Sequence, residues 1–343
     1  MPSSKYKRVK FYVKQVLFFI NRNPLSKYLY SKEITKRRLL AYTKVQQLSK
    51  HISNFAPYSQ ELNPPNDFYS HATTLKKFLG IPLNYQFKFV IEHGVFIDKG
   101  ICDLEAYTLL KSIVTSSNFR SSILKSCKPN TFAVGPYIHY ANNLYHQQKL
   151  EKEKERLKNS LLVFPLHSTS DVRARYNIED FCKQIKKFGK DFNKIRVCLY
   201  WKDVLRGIHK YYQNAGFECV TAGHAYDPYF LPRLKDIIET STVTLTNYLG
   251  SHSGYCIFLN KPHIITKQNI EFKGNKNSLK VVASYHNATA YNKIIQLLSK
   301  KSFKISPEQR EIISYYWGFD QIKTKEELTK IVEKTEEIYN RSS

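Results

Sequence analysis

From residue 160 onward, short β-branched and aromatic runs alternate with amphipathic stretches at a spacing of roughly 20–25 residues, a rhythm that few folds can accommodate. Ser160 to Phe164, Lys194 to Tyr200, Phe217 to Thr221, Thr242 to Leu245 and Pro262 to Ile265 read as strands. Residues 177–190, 204–214 and 229–240 read as the helices between them, with Gly216 closing the second. Strands separated by helices must run parallel, so the expected fold class is α/β with a doubly wound sheet.

The first half is sparser. Phe87 to Ile91 reads as a buried strand that ends at Glu92-His93-Gly94, and Asn130 to Val134 as another that ends at Gly135-Pro136-Tyr137. Residues 104–114 between them read as a helix. Near the start, over residues 5–20, Val9, Phe11, Val13, Val16, Leu17 and Ile20 fall close to helical spacing with lysines between, so a helix is expected there, and a second over 32–52. Pro57, Pro64 and Pro65 then break the chain. The stretch 147–159, QQKLEKEKERLKN, is a polar helix without a wide apolar face, as a connector would be. The expected organisation is a basic helical segment over 1–55 that belongs with an N-terminal domain over 56–148. A linker over 149–159, a C-terminal domain over 160–290 and terminal helices over 291–343 follow, with Ser306-Pro307 a helix start.

Composition narrows the class. Hydrophobic residues make up 42% of the 343 and aromatic residues 14%, enough for a sizeable core and against disorder. The early apolar run Val16 to Ile20 is far short of the roughly 20 residues of a spanning helix, and short of a signal-peptide core. The expected location is therefore cytoplasmic. The six cysteines show no CxxC spacing, so no zinc site is expected. The net charge of +26 is uneven: residues 1–50 hold thirteen lysines and arginines and one acid, Glu33. Such a segment with interleaved apolar residues suits an anionic membrane surface or a nucleic-acid backbone, or is simply a solvated face. The expected partner is the membrane surface through residues 1–50, at the inner face of the cell membrane. No specific nucleic acid is expected, because no RRM, KH or helix-turn-helix signature is present.

In an open parallel sheet, ligands bind beyond the carboxyl ends of the strands. Those ends carry His93, His139, His167, His224 and His252, with Lys202 beside Asp203. A lone loop histidine is usually structural, but histidines at several equivalent positions suggest one cleft. The segment Gly250 to Gly254, which includes Ser251, His252 and Ser253, opens a helix with small residues and hydroxyls that suit a phosphate or diphosphate. A serine-capped glycine turn explains it equally. His167-Ser168-Thr169-Ser170 and Thr246-Asn247 add hydroxyl and amide groups, and Tyr226-Asp227 and Lys202-Asp203 could meet a ribose or base, though a turn explains each of these two pairs equally. The chain contains no Asp-x-Asp pair, so charge neutralisation by helix N-termini, His and Lys is expected, with no obligatory metal or other cofactor.

Taken in order, "EHG" after a strand, "VGPYIHYA", "LLVFPLHSTS", "VCLYWKD", "GFECVTAGHAYDPYFLPRLKDII" and "TLTNYLGSHSGYCIFLNKPHII" resemble bacterial surface-polysaccharide glycosyltransferases of the GT-B fold, over roughly residues 68–325. The chain departs from better-known subgroups by carrying Trp201-Lys202 where a His-Pro pair commonly stands. The resemblance implies two Rossmann-like domains facing a central cleft, with C-terminal helices crossing back to the first. It implies transfer of a sugar from a nucleotide-activated donor to a glycan or lipid-linked acceptor, metal-independent and inverting. On that reading His93 or Glu92 is the base, and Tyr137 and His139 lie on the acceptor side. His167, Ser168, Thr169, Lys202, Gly223, His224, Tyr226, Asp227, Thr246, Asn247, Ser251, His252, Ser253 and Gly254 bind the donor. The close alternative is transfer of a polyol phosphate from a CDP-linked donor; the non-enzymatic alternative is a basic nucleic-acid-binding protein.

Overall fold

A computed structural model describes residues 12–13, 16–20, 22–52, 58–169 and 172–341. It is a mixed α/β structure with two parallel sheets. The first holds β1 (Phe89–Ile91), β2 (Ser112–Thr115) and β3 (Asn130–Ala133) in that order. The second is built from β4 (Ser160–Phe164), β6 (Lys194–Cys198), β7 (Glu218–Val220), β8 (Val243–Thr246) and β9 (His263–Ile265). Its order is β7-β6-β4-β8-β9, every pair parallel. The strand order therefore reverses at β4 and β8, where open sheets of this kind leave a crevice. An antiparallel pair, β5 (Val172–Arg175) with β10 (Glu271–Gly274), stands apart as a small arm.

Local chemistry explains the elements. β4 and β8 are buried at every position, which is why they read as continuous apolar runs rather than alternations. The helix Ile178–Phe188 starts where the Asn177 side chain accepts from the Asp180 N–H at 2.9 Å, and it turns Phe181, Cys182 and Ile185 inward. The helix His209–Asn214 ends before Gly216, whose φ of +90° lets the chain reverse into β7.

Successive side chains of β4 point to opposite faces. Leu161 and Val163 pack with Val197, Leu245, Ile264 and Phe181. Leu162 and Phe164 join a second cluster, which also takes in Phe89, Ile91 and Val114 of the first sheet and Ile313, Trp317 and Leu328 of the C-terminal helices. One apolar cluster thus ties the two sheets together. Those terminal helices, Pro307–Trp317 and Lys325–Asn340, each begin with a capping box, Ser306 with Gln309 and Thr324 with Glu327. They return to the first sheet: Tyr85 Oη donates to Glu336 at 2.7 Å, and the Lys323 N–H donates to Tyr140 Oη at 2.9 Å.

Several expectations are corrected. Residues 104–114 are not one helix: only Asp103–Ala106 is helical, and Ser112–Thr115 is the central strand of the first sheet. The helix expected over 32–52 begins earlier, at Pro24, because Asn23 accepts from the Ser26 N–H at 2.8 Å; it ends at Leu39, and a short helix, Val45–Ser49, follows. The segment grouped with the first sheet also lies along the second: the Thr221 N–H donates to Tyr42 O and the His224 N–H to Leu48 O. Of the helix expected over 5–20, residues 12–13 and 16–20 are helical; the others, with Ser170, lie outside the described residues. All six cysteines are free, and four are buried.

Candidate functional site

The carboxyl ends of the two sheets meet at one hydrogen bond. Beyond β1 the chain turns through His93 and Gly94, and the Val95 N–H donates to Ser251 Oγ at 3.1 Å. Ser251 is the first residue of the helix Ser251–Phe258, which follows β8. The Trp317 indole N–H fixes the same point by donating to Ser251 O at 2.9 Å. The first turn of the helix, with its positive dipole end, is therefore held beside the His93 loop.

Glu92 and His93 divide as adjacent residues at a strand end must. Glu92 is fully buried and closed off. Arg120 donates to its Oε1 from Nε at 2.9 Å and Nη2 at 2.6 Å, and Thr115 donates to Oε2. Burial lifts its pKa against the opposing pull of Arg120. Its geometry is that of a strut, which corrects its place as a candidate base. His93 keeps 26% of its side chain exposed, with Phe68 and Phe96 on either side at 5.8 and 6.1 Å between ring centroids. Its Nδ1 lies 3.4 Å from Oε1 of Glu105, which is 1% exposed. Burial alone would lower the His93 pKa, but the hydrogen bond and charge of Glu105, with the charge of Glu92, outweigh it and raise the value. With Nδ1 turned to a carboxylate, Nε2 is the nitrogen presented for proton exchange. Glu105 was missed in the sequence because it sits beyond the loop, in a segment read as a longer helix.

The other three strand-end imidazoles on the second sheet are neutral groups. Burial pushes His167 down to about 4 and His224 down to about 3, and holds His252 well below the ordinary imidazole value. With no ligand bound, burial favours their neutral form, in which each imidazole can donate one hydrogen bond and accept another. His252 lies over Phe164 at 4.7 Å, with Nε2 3.3 Å from Thr246 Oγ1. His167 stacks on Tyr200 at 4.1 Å, and its buried Nδ1 has no hydrogen-bond partner. His224 packs on Trp201 at 4.1 Å; its Nδ1 accepts from the Tyr226 N–H, and its buried Nε2 has no partner. Lys202 lies 5.2 Å from the Trp201 ring.

Several candidates prove to hold the fold. Ser253 is fully buried and pairs with His263 Nε2 at 3.0 Å. Gly254 is small for packing rather than for a phosphate, since a Cβ there would stand 2.2 Å from the Trp317 indole. Asp227 forms a buried ion pair with Arg233 at 3.0 Å and accepts from the Tyr229 N–H. Gly223 has a φ of +100° and leaves room for that same arginine. Ser168 and Thr169 close the turn into β5, with the Ala174 and Val172 N–H groups donating to their hydroxyls at 3.1 Å. Asn247 ties β8 to the end of β4, accepting from the Leu166 N–H at 2.7 Å, and Thr246 donates to Phe164 O. Tyr137 is buried with its hydroxyl on Val114 O, and half-buried His139 packs among Phe78, Tyr140 and Phe258.

The site also contains a turn that the sequence signalled only through Pro64-Pro65. Tyr69 and Ser70 adopt φ of +54° and +62°, left-handed values that side chains rarely take. Ser70 Oγ accepts from the Leu231 N–H at 3.0 Å, and Tyr69 Oη lies 3.5 Å from Tyr200 Oη. This strained loop carries Phe68 between His93 and Tyr226, whose ring is 4.7 Å away. A cavity of about 450 Å³ lies elsewhere, among Asn159, Asp191, Thr242 and Asn260 at the amino-terminal edge of the second sheet. Among the described residues no group of three or more His, Cys, Asp or Glu could hold a metal ion.

No protein-family model matches the chain, and no curated protein matches it. Among solved structures it is similar to Phytolacca americana UGT2, complexed with UDP-2-fluoro-glucose and pterostilbene, at 11% identity and a TM-score of 0.32. That match covers 70% of this chain and 59% of the other. It is also similar to a glycosyltransferase from Rickettsia africae ESF-5, at 13% identity and a TM-score of 0.30, over 82% of each chain. The chain thus spans less than two thirds of the first of these structures.

Proposed function

We propose that the chain is a glycosyltransferase of the GT-B type, in which two Rossmann-like halves, one on each sheet, face a common cleft. The observation that carries this reading is the Val95–Ser251 hydrogen bond. It brings an imidazole backed by a carboxylate beside a helix N-terminus at the strand-order reversal of the second sheet. Sugar transfer needs both parts: a base to take the acceptor hydroxyl proton, and fixed N–H dipoles to stabilise the departing phosphate. His93 is the base and Glu105 sets its tautomer. The first turn at Ser251 and His252 receives the nucleotide-sugar phosphates, with His167, Lys202 and Tyr226 nearest the remainder of the donor. Direct attack by a hydroxyl that His93 deprotonates inverts the anomeric centre and needs no metal. The acceptor is a glycan or lipid-linked saccharide of surface-polysaccharide synthesis. A melting-shift screen of CMP-, UDP-, GDP- and CDP-linked sugars tests the reading, because a ligand that binds only the native state raises Tm. One family of donors should stabilise the chain, and EDTA should leave that shift unchanged. No shift with any donor overturns the proposal.

A further inference from the structure

Fourteen large apolar side chains stand exposed among the described residues, and eight of them fall between residues 13 and 39. Val13, Val16, Phe19 and Ile20 on the first helix, with Leu25 and Leu29 on the next, are each 47–66% exposed. Isolated exposed apolar residues need no explanation, but a contiguous run of this kind marks an interaction surface. Lys27, Lys32, Lys36 and Arg38 are exposed on the second of these helices, Pro24–Leu39, and its one acid, Glu33, is tied to Arg37 at 2.7 Å. The first helix is anchored near both of its ends. Tyr12 Oη donates to Tyr107 O at 3.3 Å, two residues beyond Glu105, and Arg22 donates to Ser59 O at 2.8 Å. Phe18 packs on Tyr226 at 5.7 Å, Tyr226 on Phe68 at 4.7 Å, and Phe68 on His93 at 5.8 Å. An aromatic row therefore runs from beneath the apolar face to the candidate base.

We propose that Val13, Val16, Phe19 and Ile20, with the exposed face of the helix Pro24–Leu39, dock this protein on an anionic bilayer, and that the acceptor is an amphiphile whose lipid part stays in that bilayer while its head group reaches His93 along the aromatic row. This rests on the transferase reading for the role of His93, but the docking surface stands without it. Charge and aliphatic exposure select the partner together. A nucleic-acid backbone would use the cations and stack on aromatic rings, leaving Val13, Val16, Ile20 and Leu25 in water. A second copy of the chain would bring two strongly basic segments together. An anionic bilayer takes up both the apolar stripe and the charge.

Co-sedimentation of the full chain with phosphatidylcholine vesicles, with and without phosphatidylglycerol, tests the surface without any donor. The wild type should bind the anionic vesicles and release in high salt. A triple variant, Val16→Asp with Ile20→Asp and Leu25→Asp, should bind at least about tenfold more weakly with an unchanged Tm, because these side chains are exposed and each added charge opposes the bilayer. Carbethoxylation of His93 by diethyl pyrocarbonate, read by mass spectrometry, tests the route: anionic vesicles should slow it severalfold in the wild type and not in the variant. Equal vesicle binding by both proteins, or binding of the wild type to single-stranded RNA alone, overturns the docking surface. An unchanged His93 modification rate on saturating vesicles overturns the amphiphile route. If no sugar nucleotide binds while these results hold, the transferase reading fails and the surface remains.

Discussion

Glu92 and His93 sit side by side beyond β1, yet the structure assigns them opposite consequences when changed. Glu92→Gln keeps the size of the side chain but leaves the Arg120 guanidinium, itself fully buried, without its carboxylate. Breaking a buried pair by removing one partner costs about 3–5 kcal/mol, because the remaining charge is uncompensated. At roughly 2–4 °C per kcal/mol, Tm should fall on the order of 6–20 °C. The two Arg120 bonds to Asp98 O and Gly100 O would remain, which favours the lower part of that range. His93→Ala removes a ring that keeps about a quarter of its surface in water, but it also takes the imidazole from Glu105, which is 1% exposed, so stability should fall by about 1–3 kcal/mol. Turnover should instead fall roughly 10²-fold or more, with donor binding retained. The assay pairs calorimetric melting with transfer from whichever sugar nucleotide stabilises the protein. A Glu92→Gln protein that melts like the wild type but has lost transfer would refute the strut assignment. A His93→Ala protein that keeps more than about a tenth of wild-type turnover would refute the base.

The pH dependence of the site follows from the raised His93 pKa. A histidine whose folded pKa lies above its unfolded value contributes stability that is full below the unfolded value and is lost as pH rises through the folded one, while the free imidazole and hence turnover increase over that same window. Glu105→Gln removes the cause of the rise, so the acid limb of the kcat profile should move to lower pH; an unmoved limb would show that Glu105 does not act through His93. Gly254→Ala places a methyl 2.2 Å from the Trp317 indole and should cost about 1–3 kcal/mol through overpacking, read as a lower urea midpoint, whereas an unchanged midpoint would deny the close approach. Ser251→Ala takes the acceptor from the Val95 N–H and should cost about 1 kcal/mol of stability. It should also lower turnover by loosening the His93 loop against the helix; intact turnover would mean that this contact does not set the cleft.

How much of this was legible in the sequence depended on whether a feature is local. The strands of the second sheet could be read because burial on both faces leaves β4 and β8 as uninterrupted apolar runs. β2 was misread because Leu109, Leu110, Ile113 and Val114 fall at helical spacing, and a short buried strand carries no period of its own. The pairing of β5 with β10 joins residues about a hundred positions apart in half-exposed segments, which no local pattern announces. The histidines were placed correctly at strand ends, but their charge was not, because burial by Phe164, Tyr200 and Trp201 decides it. Gly254 was assigned to the donor because its partner, Trp317, belongs to another helix, whereas Asp227 pairs across the turn into the helix that follows it, a fold that no periodicity marks.

One distinction was available all along. Residues two apart on a helix are separated by about 200° around its axis, so Ser251 and Ser253 could not both face one ligand. The structure resolves them as that spacing requires, with Ser251 toward the His93 loop and Ser253 inward onto His263. A phosphate held at this helix could therefore draw on the first-turn N–H groups and on one of the two hydroxyls, not both.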